Sequence, residues 1–199
     1  MRVIKVQASG FGCNSYIVTA DNKNAVIIDC AEEELYGICA EMGLTPRAVL
    51  LTHGHFDHVG GCGKFFKEGI PVYCGEKEKA FIFSAENRGI FGGVHIPDFR
   101  IAGTFKDGES AHFSGMTFKV LHTPGHTVGG ISYLADGCLF TGDTLFRQGI
   151  GRYDLPTGDF KQLKESINKL FSLEGDFKVY CGHGEDTSLG RERKNNPYA

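Results

Sequence analysis

A chain of 199 residues, 41% hydrophobic and 23% charged, can bury a substantial core and is short for two full domains. A net charge of -3 leaves no basic footprint for nucleic acid, and no apolar run approaches the roughly 20 residues that span a bilayer. Seven cysteines, an odd count with no Cys-x-x-Cys pair, argue for scattered thiols in a reducing cytoplasm and against a disulfide framework.

Met1 to Val6 alternates charged and apolar residues without the apolar centre of a signal peptide, which also points to the cytoplasm. Arg2 to Ala8, Asn14 to Thr19 and Ala25 to Asp29 read as strands, the last two joined by the turn signal Asp21-Asn22-Lys23-Asn24. Glu32 to Met42 begins acidic, keeps helical spacing and stops before Gly43, so a helix is expected. Ala48 to Thr52 reads as a buried strand, Cys62 to Lys67 as a short helix, Val72 to Cys74 as a strand and Glu76 to Phe83 as a helix.

Residues 84–106 show no clear period. Such a segment is either a flap over a site, with Phe91 and Val94 as apolar contacts, or an ordinary packed loop. Strands are expected at Ser110 to Phe113, Met116 to His122, Gly130 to Ala135, Cys138 to Thr141 and Phe177 to Tyr180. Asp159 to Leu173 is an amphipathic helix with Phe160, Leu163, Ile167 and Leu170 on one face. The tail from Arg191 to Ala199 is polar, and partial order is expected of it. One domain over residues 1–199, a two-sheet core covered by helices, accommodates this order.

One stretch concentrates chemistry: Leu51-Thr52-His53-Gly54-His55-Phe56-Asp57-His58-Val59-Gly60-Gly61. Three imidazoles and a carboxylate within six residues would repel and titrate one another unless a cation joined them. They follow a buried strand, which delivers them to the end of a sheet, where open sites are built. His53 and His55, at alternate positions, can face one ion, while Asp57 and His58 face a second. Asp29 ends another buried strand and can accept a hydrogen bond from a ligating imidazole. Cys181, two residues before His183, reads as a core thiol.

His53-x-His55-x-Asp57-His58 resembles the signature of the metallo-β-lactamase superfamily. Thr123-Pro124-Gly125-His126-Thr127, Phe140-Thr141-Gly142-Asp143-Thr144 and Cys181-Gly182-His183-Gly184 are similar to its later elements, in the same order. The resemblance implies an α/β fold: a four-layer αβ/βα sandwich, two mixed β-sheets flanked by helices. It implies two divalent ions, zinc first with iron or manganese as alternatives. His53, His55 and His126 would hold one, Asp57, His58 and His183 the other, and Asp143 would bridge them. About 3.5–4 Å apart, the ions would activate a bridging hydroxide as nucleophile, with Asp57 and Asp143 as the catalytic carboxylates.

Gly142 to Phe146 with Gly149-Ile150-Gly151-Arg152-Tyr153 resembles the glyoxalase II group, which hydrolyses thioesters such as S-lactoylglutathione. Arg152 and Tyr153 are then the substrate contacts, although the family tyrosine falls one position later, where Asp154 stands. The short, single-domain type without a C-terminal helical domain fits the chain length. A small-molecule thioester is the expected partner, with no nucleic acid and no membrane. Two alternatives stay open: an iron persulfide dioxygenase using His53, His126 and Asp143, and a hydrolase of another acyl substrate such as a lactone. β-Lactam cleavage is set aside at this stage, because Asp143 stands where true zinc β-lactamases commonly carry a cysteine.

Overall fold

Alternation along buried strands decides which layer each side chain joins. The computed structural model describes residues 1–90 and 95–199. Strands β1 (Arg2–Gln7), β2 (Asn14–Thr19), β3 (Asn24–Ile28), β4 (Thr45–Leu50), β5 (Val72–Gly75) and β6 (Ile101–Phe105) form one sheet in that order. Neighbours are antiparallel from β1 to β3 and parallel from β3 to β6. Parallel neighbours need crossovers. These carry α1 (Glu34–Glu41), then α2 (Phe56–Val59) with α3 (Cys62–Lys67), then α4 (Glu78–Ile82) with α5 (Ala85–Gly89).

The second half contains β7 (Ser110–Phe113), β8 (Met116–His122), β9 (Ile131–Ala135), β10 (Cys138–Gly142), the hairpin β11 (Leu145–Phe146) and β12 (Gly149–Ile150), α6 (Phe160–Phe171), β13 (Lys178–Cys181), β14 (Thr187–Ser188) and α7 (Leu189–Asn195). Its sheet runs β14-β13-β10-β9-β8-β7, with β10 and β13 parallel and the other neighbours antiparallel.

Tyr16, Val18, Val26, Ile28 and Leu50 point from the first sheet to meet Phe118, Val120, Tyr133 and Phe140 of the second. The alternate residues Ile17, Ile27, Val49 and Leu51 face the other way and pack under Leu35, Cys39 and Phe65 of α1 and α3. On the far side, Leu139, Val179 and Cys181 are covered by Ile167 and Leu170 of α6 and Leu189 of α7. Each such side chain contributes about 1.5–3 kcal/mol by leaving water. The outcome is a mixed α/β sandwich of four layers, αβ/βα. Among the described residues no helix is long and apolar enough to cross a membrane. All seven cysteines are free, and Cys181 is a core residue, as its apolar setting predicts.

Several elements differ from the expected ones. β4 begins at Thr45 and includes Pro46, which a central strand normally rejects. It is tolerated because β5 pairs only with Val49 and Leu50, leaving Pro46 beside β3 alone. Within the segment expected to be irregular, Ser84 caps α5 by accepting from Asn87 N, and β6 adds an edge strand. Phe91 and Val94, the suggested flap contacts, lie outside the described residues. The polar tail forms α7, capped by Ser188 and anchored by the buried Leu189 and Glu192.

Candidate metal centre

Each candidate ligand leaves the sheets at or beyond the C-terminal end of a strand. The chain runs out of β4 through His53, Gly54 and His55, and the first turn of α2 then presents Asp57 and His58. His126 follows β8, Asp143 directly follows β10, and His183 lies two residues beyond β13. Because β10 and β13 are parallel neighbours, Asp143 and His183 emerge side by side. Glycine at 182 permits this approach, since a Cβ there would overlap Asp143 Oδ1.

The seven side chains converge. His53, His55 and His126 bring their ligand nitrogens within 4.8 Å of one another, as do Asp57, His58 and His183 together with the thiol of Cys13. His55 Nδ1 lies 2.9 Å from His126 Nε2. Two nitrogens on one zinc-like ion, each about 2.0–2.1 Å from it, stand roughly 3.3 Å apart, so this spacing suits a shared ion after small adjustment. Asp143 sits between the groups: Oδ1 is 3.3 Å from His58 Nε2, and Oδ2 is 3.6 Å from His126 Nε2 and 3.5 Å from His183 Nε2. Asp57 Oδ2 lies 3.2 Å from His183 Nε2.

Hydrogen bonds on the far side of three rings fix which nitrogen faces inward. His58 Nδ1 donates to Asp29 Oδ2 at 2.8 Å, and His126 Nδ1 donates to the Arg152 carbonyl at 2.7 Å. Thr52 Oγ1 gives its proton to Asp29 Oδ2 at 2.8 Å and therefore accepts from His53 Nδ1 at 3.1 Å. Each ring therefore turns its Nε2 into the cluster. His53 Nε2, His58 Nε2 and Asp143 Oδ1 are buried without a hydrogen-bond partner. Buried polar atoms of this kind are rare in a satisfied interior.

The electrostatics select a cation. Burial drives His53 well below the usual imidazole range, His55 down to about 3 and His126 in the same direction, so these rings stay neutral and keep their lone pairs. Burial opposes charge on Asp143 and Asp57 as well. The imidazoles of His58, His126 and His183 outweigh it for Asp143, those of His58 and His183 for Asp57, and both carboxylates stay ionised. For His58, Cys13 first and then Asp29, Asp143 and Asp57 overcome burial and raise its pKa well above normal, and Asp57 and Asp143 raise that of His183, so these two rings favour a proton that a bound ion would displace. Three neutral imidazoles, two ionised carboxylates and two imidazoles whose proton an ion can displace fit divalent metal ions.

The cluster opens onto a cavity of about 290 Å³, floored by His55, Asp57, His126, Asp143 and His183. Phe11, Phe56, Phe146, Ile150 and Leu155 wall it, with Arg152 at its edge. Arg152 is already engaged, since Nε and Nη2 grip Asp154 at 2.9 and 2.8 Å. Tyr153 is not among the residues lining this cavity and packs instead on Phe160, ring centroids 4.8 Å apart. Nothing in the sequence signals Cys13, in Gly12-Cys13-Asn14 far from the histidines, or Thr52 as the partner of His53; the backbone bridge of Cys13 to His183 and the hydrogen bond of Thr52 to Asp29 reveal them.

This is the architecture and site of a metal-dependent hydrolase. The sequence matches the metallo-beta-lactamase superfamily over residues 8–183, and the chain belongs to that family. It is 36% identical over 207 residues to the hydroxyacylglutathione hydrolase GloC of Haemophilus influenzae, covering 100% of this chain and 98% of that one. Among solved structures, BLEG-1, a B3 metallo-beta-lactamase, superposes with a TM-score of 0.93 at 35% identity, covering 99% of both chains. TTHA1623 in a di-iron-bound form gives 0.85 at 34%, covering 99% of this chain and 100% of the other.

Proposed function

We propose that this protein is a binuclear metal hydrolase that cleaves a small thioester of the S-lactoylglutathione type. The observation that carries the metal reading is the set of inward nitrogens, three fixed by far-side hydrogen bonds, gathered around Asp143. His53, His55 and His126 would hold one divalent ion, Asp57, His58 and His183 the second, and Asp143 would contact both. When bound, such ions acidify water and polarise a carbonyl oxygen.

The chain's own residues supply the rest. Asp57, beside His183 and lining the cavity, accepts a hydrogen bond from an attacking water and orients it. Phe11, Phe56, Phe146, Ile150 and Leu155 keep bulk water from the acyl and sulfur atoms. A thiolate leaves readily, so little acid catalysis is required of the protein. Zinc, iron and manganese all suit the nitrogen and oxygen donors. The thioester is supported by the likeness to GloC along the whole chain.

A competing substrate class has its own support, because the fold is nearly superposable on a B3 metallo-beta-lactamase. The test is turnover by metal-analysed protein of S-lactoylglutathione, simple thioesters, lactones and a β-lactam. The proposal expects two ions per chain and preference for the thioesters. Exclusive turnover of a lactone or β-lactam, or one iron per chain with oxygen uptake on a glutathione persulfide, would overturn it.

A further inference from the structure

Glu78, the first residue of α4, is completely buried, and among the described residues no cation pairs with it. Its charge is met by three donors instead. Oε1 accepts from Gly54 N at 2.8 Å, and Oε2 accepts from Thr127 Oγ1 at 2.9 Å and Gly129 N at 2.8 Å. Gly54 separates His53 from His55, and Thr127 follows His126. The two segments come from opposite sheets, one after β4 and the other after β8.

The neighbourhood is built around this junction. Asn87 Nδ2 donates to the Gly54 carbonyl at 2.7 Å and to the Ile82 carbonyl at 3.0 Å, so both polar groups of Gly54 are held. A Cβ on Gly54 would overlap Ile82, and one on Gly129 would overlap the Glu78 backbone nitrogen. Both loops therefore lie directly against α4. Burying a carboxylate without a countercharge is unfavourable, and the protein retains one where two ligand-bearing loops meet.

We propose that Glu78 is a positioning residue for the three-imidazole metal group. Its carboxylate ties the His53–His55 loop of one sheet to the His126 loop of the other and thereby sets the separation of their nitrogens. The inference rests on the reading that these three histidines hold an ion. A carboxylate is required because both ends of the clamp present donors. Glutamine offers a single acceptor oxygen and must turn its amide N–H groups toward either Gly54 N or the Thr127–Gly129 pair. Asparagine at 87 has the opposite task, donating to carbonyls, and its amide suits it.

The test is titration of the ion-free full chain with Co²⁺ or Zn²⁺, comparing wild type with Glu78→Gln and Thr127→Val. Calorimetry reads the two affinities, and the visible spectrum of bound Co²⁺ reads the ligand geometry. Groups supporting metal ligands typically change affinity by about 10- to 100-fold. The expected result is a loss of that size for one ion in Glu78→Gln, with an altered Co²⁺ spectrum and the second ion held as in wild type. Thr127→Val should show a smaller loss in the same ion.

Two ions bound by Glu78→Gln with wild-type affinity and spectrum would overturn this inference alone. Equal weakening of both ions, with a lower ion-free melting temperature, would assign Glu78 to general packing and also overturn it. If Glu78→Gln does not fold, Thr127→Val decides: a selective loss supports the clamp, and unchanged affinities refute it. Wild-type protein that bound no ion would remove the metal reading and this inference together.

Discussion

Asp29 illustrates how much of a candidate metal site is set by residues outside the ligand set. Its backbone adopts φ +56°, a conformation Asp tolerates better than most residues, and its Oδ2 accepts from both His58 Nδ1 and Thr52 Oγ1. One carboxylate thus orients His58 directly and His53 through Thr52. Asp29→Asn should leave the fold intact but weaken metal binding by about 10- to 100-fold, read by competition with a chelator. Glu78 gives a pH prediction. Burial raises its carboxyl from 4.5 to about 7, so the folded chain holds that proton more tightly than the unfolded chain. The associated stability is complete below pH 4.5 and is lost as pH rises through about 7. Ion-free wild type should lose more urea resistance than Glu78→Gln between about pH 5 and 8; equal losses would contradict this. The ligand candidates themselves were legible because four fall in one short stretch after an apolar strand. Glu78 and Thr52 were not, since their roles depend on partners that only the folded chain supplies, such as Gly129, 51 residues from Glu78.

Secondary elements were legible where one face is buried and the period is clean. α6 was readable because Leu163, Ile167 and Leu170 repeat at helical spacing behind the Asp159 cap, whose side chain accepts from Gln162 N. β6 was not, because Gly103 interrupts its pattern to accommodate Tyr73. α7 was hidden for a different reason: its buried anchor Glu192 is charged. That residue accepts from Gln148 N at 2.8 Å, Thr187 Oγ1 at 2.6 Å and Asn196 Nδ2 at 3.0 Å, fastening the β11–β12 hairpin to the C-terminal helix. The hairpin carries Phe146 and Ile150 to the cavity wall. Glu192→Ala strands these donors, each at about 1–3 kcal/mol. It should lower the urea midpoint and raise KM more than it lowers kcat. A variant with wild-type stability would show that water replaces the carboxylate freely.

At the scale of the molecule, the two sheets bury Tyr16, Ile28, Phe118 and Phe140 between them, and the ligands gather where strand ends of both sheets meet. The four-layer arrangement could be anticipated from motif order, but the join between the halves could not. That join depends on hydrogen bonds such as Ile131 N to the Thr52 carbonyl, 2.9 Å, and Tyr133 OH to the Leu51 carbonyl, 3.0 Å. Neither half alone contains a complete ligand group, since His126 joins two histidines of the first half, and His183 joins Asp57 and His58. An ion held by either group would therefore tie the halves together and stabilise the folded chain by mass action. The most direct test of the central claim is anomalous diffraction from crystals grown with zinc. Two peaks are predicted, one enclosed by His53, His55 and His126, the other by Asp57, His58 and His183, with Asp143 in contact with both. A single peak, or ions bound away from these side chains, would contradict it.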